Sequence, residues 1–377
     1  MPALLVVAGE ASADFLAAET VQALIGQWEI YGIGGPRLQA LGADLLCRAE
    51  ALNLVGISEV FTALPRVASV FAALCERIAH GKPDVALLVD LPDFNLRLGP
   101  LLATLGIPVV YCGAPQAWAW RSYRAKAMAR WVSSLACLFP FEAEFFCRRG
   151  VRAHFVGHPR AVQAARLLPS VHGDPHTILL LPGSRSAEIR RHMPLLIAAV
   201  QRLRDSAPHL SYLIPVAPTV TAHSLRAYLS PELPIAVSED DALQVMSRGA
   251  LALSACGTAT TELMLMGVVP ICFYLTSRLT FTIAKRLIRT PYVAMPNILA
   301  DQALVPELIQ SQATPANLVA HLQRFLEDQE LRTHCQQRLA ALGRTLLGPA
   351  DGREPAERIA ALVMAHAPLR TARRSTP

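Results

Sequence analysis

Short runs of apolar residues alternate along this chain with longer stretches whose apolar positions recur every three or four residues. Runs of the first kind lie at 4–8, 29–33, 84–89, 109–112, 135–139 and 153–156. Their apolar residues do not alternate with polar ones, which predicts strands covered on both faces. Between them, stretches such as the one carrying Phe15, Leu16, Val21 and Leu24 predict helices. The same rhythm resumes at 178–181, 212–216, 235–237, 251–254 and 269–274, and helices are predicted over 315–327, 330–346 and 354–364. Strand and helix in strict succession predict an α/β protein built on parallel sheets. Pro, His and Gly collect between 162 and 176, which predicts a linker. The expected organisation is two doubly wound domains, 1–165 and 166–350, facing each other across a cleft, followed by a helix and basic tail over 351–377. Ligands of such sheets bind beyond the carboxyl ends of the strands.

Composition refines this picture. At 377 residues the chain fits two domains of ~100–200 residues each. Apolar residues make up 53% and charged ones 17%, enough for well-buried cores and an exposed greasy patch. No apolar run reaches the ~18 residues of a membrane-crossing helix. The first apolar run, followed by Ala11-Ser12-Ala13, imitates a secretory leader. No basic residue precedes it, however, and Gly9-Glu10 interrupts it, so a buried first strand explains it better. Eight cysteines without a C-x-x-C pair read as thiols of a reducing cytosol. His154 with His158 and His172 with His176 have metal-ligand spacing, but Pro159 and Pro175 beside them argue against helices, and no metal site is expected. The net charge of +6 suits an anionic ligand or membrane surface. No alternation of basic and aromatic residues points to nucleic acid.

Four strand-to-helix turns carry candidate chemistry. The run 177–181 ends in Pro182-Gly183-Ser184-Arg185 and turns helical. Gly183 permits a tight turn, Ser184 can cap the helix, and free N–H groups with the guanidinium of Arg185 suit a phosphate or diphosphate. An ordinary turn with a solvated arginine is the bland alternative. Gly257-Thr258, after 251–254, is a second turn of the same kind, with Glu262 one turn further on to accept from ribose hydroxyls. Asp90 ends a buried strand and would serve as a general base, unless it merely caps the helix begun by Pro92. At the first turn, Ser12 reads as an N-cap and Asp14 as a first-turn acid, whereas Glu10 has no evident structural task. Trp118 and Trp120, followed by Arg121, either pack in a core or shape a loop over an acceptor. The stretch 54–78, with Val60, Phe61, Leu64 and Val67, is apolar beyond the single stripe of a core helix and fits either a buried helix or a membrane-facing patch. Residues 277–292 are a second such stretch.

Together these residues resemble the lipid A disaccharide synthases, glycosyltransferases of the GT-B type with two Rossmann-like domains. The marks are Gly9-Glu10-x-Ser12-x-Asp14, Asp90-x-Pro92-Asp93-Phe94-Asn95, Trp118-Ala-Trp120-Arg121, Gly157-His158-Pro159, Leu181-Pro-Gly-Ser-Arg185, Ser254 to Glu262, Pro296-Asn297 and Pro306-Glu307-Leu308. They span almost the whole chain in order. Ala13 departs from the family's usual glycine. The resemblance implies transfer of diacylglucosamine from UDP-2,3-diacylglucosamine to 2,3-diacylglucosamine 1-phosphate (lipid X) with inversion, by an enzyme lying on the inner face of the bacterial inner membrane. It implies Asp90 as base, Arg185 with Gly183, Ser184, Gly257 and Thr258 at the UDP diphosphate, and Glu262 at the ribose. Glu10, Ser12, Trp118, Trp120, Asn297 and Glu307 would line the cleft, and no cofactor is implied. It also suggests a homodimer, although no residue pattern requires one. The nearest rival is a UDP-sugar 2-epimerase of the same fold. That reaction gives no reason for the apolar patch or the tryptophan loop. A binding module without turnover is the third possibility.

Overall fold

The buried apolar runs form strands, and they line up in two parallel sheets. The computed structural model describes residues 1–48, 57–167, 173–288 and 290–368, with the side chains of 57–64 and 205 excepted. One unit comprises 1–159 with 348–377, the other 160–347. In the first unit β1 (Ala3–Ala8), β2 (Glu29–Gly34), β3 (Asp44–Arg48), β4 (Val85–Val89), β5 (Val109–Cys112), β6 (Ser134–Cys137) and β7 (Ala153–Phe155) pair in the order β3-β2-β1-β4-β5-β6-β7. All the pairings are parallel. Successive side chains point to opposite faces, so Leu5, Val7, Ala86, Leu88, Val109 and Tyr111 enter one core layer. Leu4, Val6, Ala8, Val85, Leu87 and Val89 enter the other.

In the second unit β8 (Asp174–Leu181), β9 (Ser211–Pro215), β10 (Ile235–Ser238), β11 (Gly249–Ala255), β12 (Val269–Tyr274) and β13 (Glu307–Ile309) pair in the order β10-β9-β8-β11-β12-β13. Every ladder is again parallel. Both sheets start in the middle, run outward to one edge, then restart on the other side of the first strand. The places where the direction reverses, between β1 and β4 and between β8 and β11, are where such sheets open a ligand crevice.

Several boundaries differ from the sequence reading. The helix Pro159–Leu167 and the start of β8 occupy most of the expected linker, and residues 168–172 within it lie outside the described residues. The units divide at 159/160 and 347/348, where the sequence reading set 165 and 350. The carboxyl-terminal helix Pro355–Met364 is no separate appendage: Ile359, Ala360 and Val363 join the second core layer of the first unit. Its buried Arg358 donates from Nη1 to Val156 O at 2.8 Å and from Nε to Asp351 Oδ1 at 3.1 Å. Ser134 Oγ lies 3.0 Å from Nε2 of His366, just past the helix.

The stretch expected to face a membrane is the helix Ile57–His80, with Pro65 inside it. The side chains of Val60, Phe61 and Leu64 lie outside the described residues. Val67 is half-buried, packed with Val70 and Phe71 against the first core layer. Among the described residues no helix is long and apolar enough to cross a membrane.

Candidate functional site

The reversal point of the first unit carries Glu10 after β1 and Asp90 after β4. Asp90 and Leu91 both adopt left-handed backbone, with φ of 52° and 48°. Two successive non-glycine residues in that region cost about 1 kcal/mol or more each, so something must hold them. The Asp90 N–H donates to Cys112 O at 2.8 Å. Its carbonyl accepts from Asn95 Nδ2 at 2.7 Å and from the Tyr111 hydroxyl at 3.0 Å. Leu91 packs on Gly9, where a Cβ would come within 2.7 Å of its Cδ atoms. The backbone is pinned from three sides. Leu91, without a side-chain cap, stands at the N-cap of the helix Pro92–Thr104, so capping does not explain the Asp90 carboxylate. Burial pushes that carboxyl up to about 6, the negative charge of Glu10 adds to the rise, and a hydrogen bond from the Leu91 N–H opposes it. A carboxylate that titrates near 6 is a stronger base than an ordinary aspartate and is still ionised at neutral pH.

Glu10 is exposed, at the N-cap of the helix Ala11–Gln22, and makes no side-chain cap. Ser12 does not cap as expected: it is exposed inside the first turn. Asp14 is in the first turn but serves a neighbour. Its buried carboxylate accepts from Gly35 N at 2.7 Å and Arg37 N at 3.0 Å, at the start of the helix Pro36–Ala40. Because Glu10 raises the Asp90 pKa by repulsion, Glu10→Gln should lower it. The acid limb of a kcat/KM profile then moves below its wild-type position near pH 6. An unmoved limb would uncouple the two carboxylates.

The tryptophan loop is anchored by a residue the sequence reading passed over. Trp118 Nε1 donates to Glu142 Oε1 at 3.1 Å, and its ring meets Phe141 edge-on at 5.0 Å. Glu142 is buried, which pushes its carboxyl up to about 7 against the opposing hydrogen bonds from Trp118, Phe139 and Leu138. Burial pushes the Cys112 thiol up, and the charges of Asp90 and Glu142 add to the rise. Trp120 is half-buried and carries the Arg121 guanidinium 4.0 Å over its ring.

The reversal point of the second unit carries the two glycine turns. Gly183 has φ of 109°, and a Cβ there would lie 2.5 Å from Glu188 Oε2, so glycine is needed on both counts. Ser184 is not the helix cap. The helix runs Ser186–Ser206 with Arg185 at the N-cap. Glu188 reaches back, accepting from Ser184 N at 3.2 Å, Arg185 N at 3.4 Å and the Tyr274 hydroxyl at 3.1 Å. It also pairs with Arg185 Nη1 at 3.4 Å, while the Arg185 side chain stays 76% exposed. With its guanidinium so exposed and the contact this long, the pair is worth at most about 1 kcal/mol, so a diphosphate can displace Glu188 from the guanidinium. Buried His192 fixes the turn from below. Pro182 O can only accept, so Nδ1 donates to it at 2.6 Å and Nε2 accepts from Leu275 N at 3.1 Å. The second turn is open: Gly257 and Thr258 are exposed at the start of the helix Thr258–Leu265.

Three expected residues are committed to the protein itself. Glu262 is held by Arg160 Nε at 2.8 Å, and burial raises its pKa against that attraction. Asn297 does not line a surface; it is buried, donating from Nδ2 to Val305 O and Glu307 Oε1 and accepting from Val305 N on Oδ1. Glu307 takes the N–H groups of Val293 and Ala294 as well, at 3.0 and 2.9 Å. This pair shapes the chain leading into β13.

The chain and its relatives agree along nearly their full lengths. A family model described as lipid-A-disaccharide synthetase matches residues 4–348. The lipid-A-disaccharide synthase of Anaeromyxobacter dehalogenans strain 2CP-C is 40% identical over 351 residues, covering 90% of this chain and 91% of that protein. Among solved structures, Arabidopsis thaliana UGT89C1 complexed with UDP superposes with a TM-score of 0.64 at 12% identity, covering 97% and 99% of the two chains. UDP-GlcNAc 2-epimerase from Neisseria meningitidis bound to UDP-GlcNAc gives 0.60 at 12% identity, covering 97% and 99%. At that identity the structures show the shared GT-B fold and do not separate transfer from epimerisation. The sequence match does, and on it the chain belongs to the lipid-A-disaccharide synthase family of glycosyltransferases.

Proposed function

We propose that this chain transfers 2,3-diacylglucosamine from UDP-2,3-diacylglucosamine to the 6-hydroxyl of 2,3-diacylglucosamine 1-phosphate, with Asp90 as general base and Arg185 at the leaving group. The observation that carries it is Asp90: a pinned, strained, half-shielded carboxylate at a sheet reversal point, with a base strength suited to neutral pH. The acceptor hydroxyl gives its proton to Asp90 as its oxygen bonds to the anomeric carbon. The bond from that carbon to the β-phosphate oxygen breaks, and the electron pair leaves with UDP. One in-line displacement inverts an α-linked donor to a β-linked product. Arg185, with the Ser184 and Arg185 N–H groups once Glu188 yields them, and the open Gly257-Thr258 turn, stabilises the charge on the departing diphosphate. Glu262, steadied by Arg160, meets the ribose. Glu10 and Ser12 border the base, and Trp118 and Trp120 contact the acceptor, while Asn297 and Glu307 act indirectly through the loop they hold. None of these residue roles calls for a metal.

In this reading the acyl-chain-bearing substrates are drawn from the inner face of the inner membrane, and the helix Ile57–His80 meets the lipid through Val60, Phe61 and Leu64, while Val67 packs against the core layer instead. Acceptor dependence tests the reaction. Incubated with UDP-diacylglucosamine, the protein should release UDP only when lipid X is added. Turnover of the donor alone points to an epimerase, and binding without turnover to a carrier.

A further inference from the structure

The helix Arg278–Leu287, in the second unit, buries no residue. Elsewhere in that unit the helix Pro315–Glu327 places Leu318, Leu322 and Phe325 one turn apart, and all three are buried. Leu279, Ile283 and Leu287 have almost the same spacing, yet are 73%, 51% and 49% exposed. Ile288 and Val293 beyond them are exposed too. With 3.6 residues per turn, Arg286 borders this stripe, and Arg278 and Lys285 lie further round on the same flank. The helix carries no acid, and from Leu263 to Ala300 the sequence contains neither aspartate nor glutamate. A solvated surface helix normally mixes its charges. An apolar stripe bordered by Arg286 on one side and Thr280 on the other, on a helix whose charged residues are all cations in a protein of net charge +6, complements a surface that is apolar inside and anionic at its rim.

We propose that the helix Arg278–Leu287 is a docking element for an anionic lipid bilayer, lying in the headgroup plane with Leu279, Ile283 and Leu287 inserted and Arg278, Lys285 and Arg286 against lipid phosphates. It is a second attachment point, on the unit opposite in sequence to the helix Ile57–His80, and it stands apart from the sugar-transfer reading because vesicle binding needs no substrate.

The test is co-sedimentation of the full-length protein with vesicles of phosphatidylcholine alone or mixed with phosphatidylglycerol. Wild type should sediment with the mixed vesicles more than with the neutral ones. Leu279→Ser/Ile283→Ser/Leu287→Ser should bind the mixed vesicles roughly tenfold or more weakly. Arg278→Gln/Lys285→Gln/Arg286→Gln should lose the preference for phosphatidylglycerol. Circular dichroism checks the fold, and Leu279→Ser alone, at the most exposed position, provides the readout if the triple variant misfolds. Unchanged sedimentation of the folded variants overturns the proposal. So does loss of all binding on serine substitution of Val60, Phe61 and Leu64 alone. A wild-type dimer that the serine variant turns to monomer, with vesicle binding intact, assigns the stripe to a second copy and overturns it as well.

Discussion

Replacing Asp90 with asparagine should slow acceptor-dependent UDP release roughly 100-fold or more, the range expected when a positioned general base is lost. Asparagine is the informative choice. It tolerates left-handed backbone, so the φ of 52° can persist, and it keeps the shape while losing the basicity. The wild-type kcat/KM should fall as pH drops through about 6, where Asp90 takes up a proton, and the residual activity of the variant should lack that limb. Stability should move the opposite way. Asp90 holds its proton in the folded protein to about pH 6 but releases it near 4 when unfolded, so the folded state loses stability as pH rises between those values. The cost above pH 6 is on the order of 3 kcal/mol at most. Asp90→Asn should therefore melt higher than wild type at neutral pH while turning over far more slowly. Near-normal activity in the variant would remove Asp90 from the role of base.

Arg185→Ala should also lose on the order of 100-fold or more, here by leaving the diphosphate charge without its cation. Its melting temperature should stay close to wild type, because the one ion pair broken among the described residues joins Glu188 to a guanidinium that is 76% exposed. Arg185→Lys keeps the charge but not the fork, and should recover part of the loss. The partition of the effect is diagnostic. A loss confined to KM means Arg185 holds UDP equally before and during transfer, whereas a loss in kcat means the contact strengthens as the bond breaks. Activity unaffected by Arg185→Ala would sink the assignment.

Much of the architecture was readable because the central strands are buried on both faces. β1, β4, β8 and β11 appear as continuous apolar runs, and each is followed by the residue types that parallel sheets use at their functional edge. Two of the four edge strands, β3 and β13, escaped notice for the complementary reason. β3, at Asp44–Arg48, begins and ends on exposed charged residues, and β13 has only three residues, so neither makes an apolar run. The choice of Asp90, Arg185 and Gly183 rested on strand ends and turn chemistry, which are local. Partners distant in sequence were beyond that kind of reading. Nothing near Asp14 announces that it caps a helix at Pro36, nothing near Glu262 names Arg160, and nothing near Asn297 shows that it faces inward. Glu142 did leave a trace, as the first of two acids within Phe139-Pro-Phe-Glu-Ala-Glu-Phe-Phe146. A carboxylate so embedded requires a donor, and Trp118 supplies it.

The return of the carboxyl-terminal helix to the first unit has a consequence for biosynthesis. Val6, Leu16 and Val89 share a core layer with Ile359, Ala360 and Val363, so the amino-terminal sheet leaves the ribosome with that face short of its cover. The whole second unit must be translated before the missing helix emerges, a wait on the order of ten seconds or more at ordinary elongation rates. Through that interval an apolar face is open to solvent and to chaperones, while the second unit has all its strands and can close first. The order of completion is thus the reverse of the order of synthesis, with Ile359, Ala360 and Val363 completing a core layer that the first strand begins.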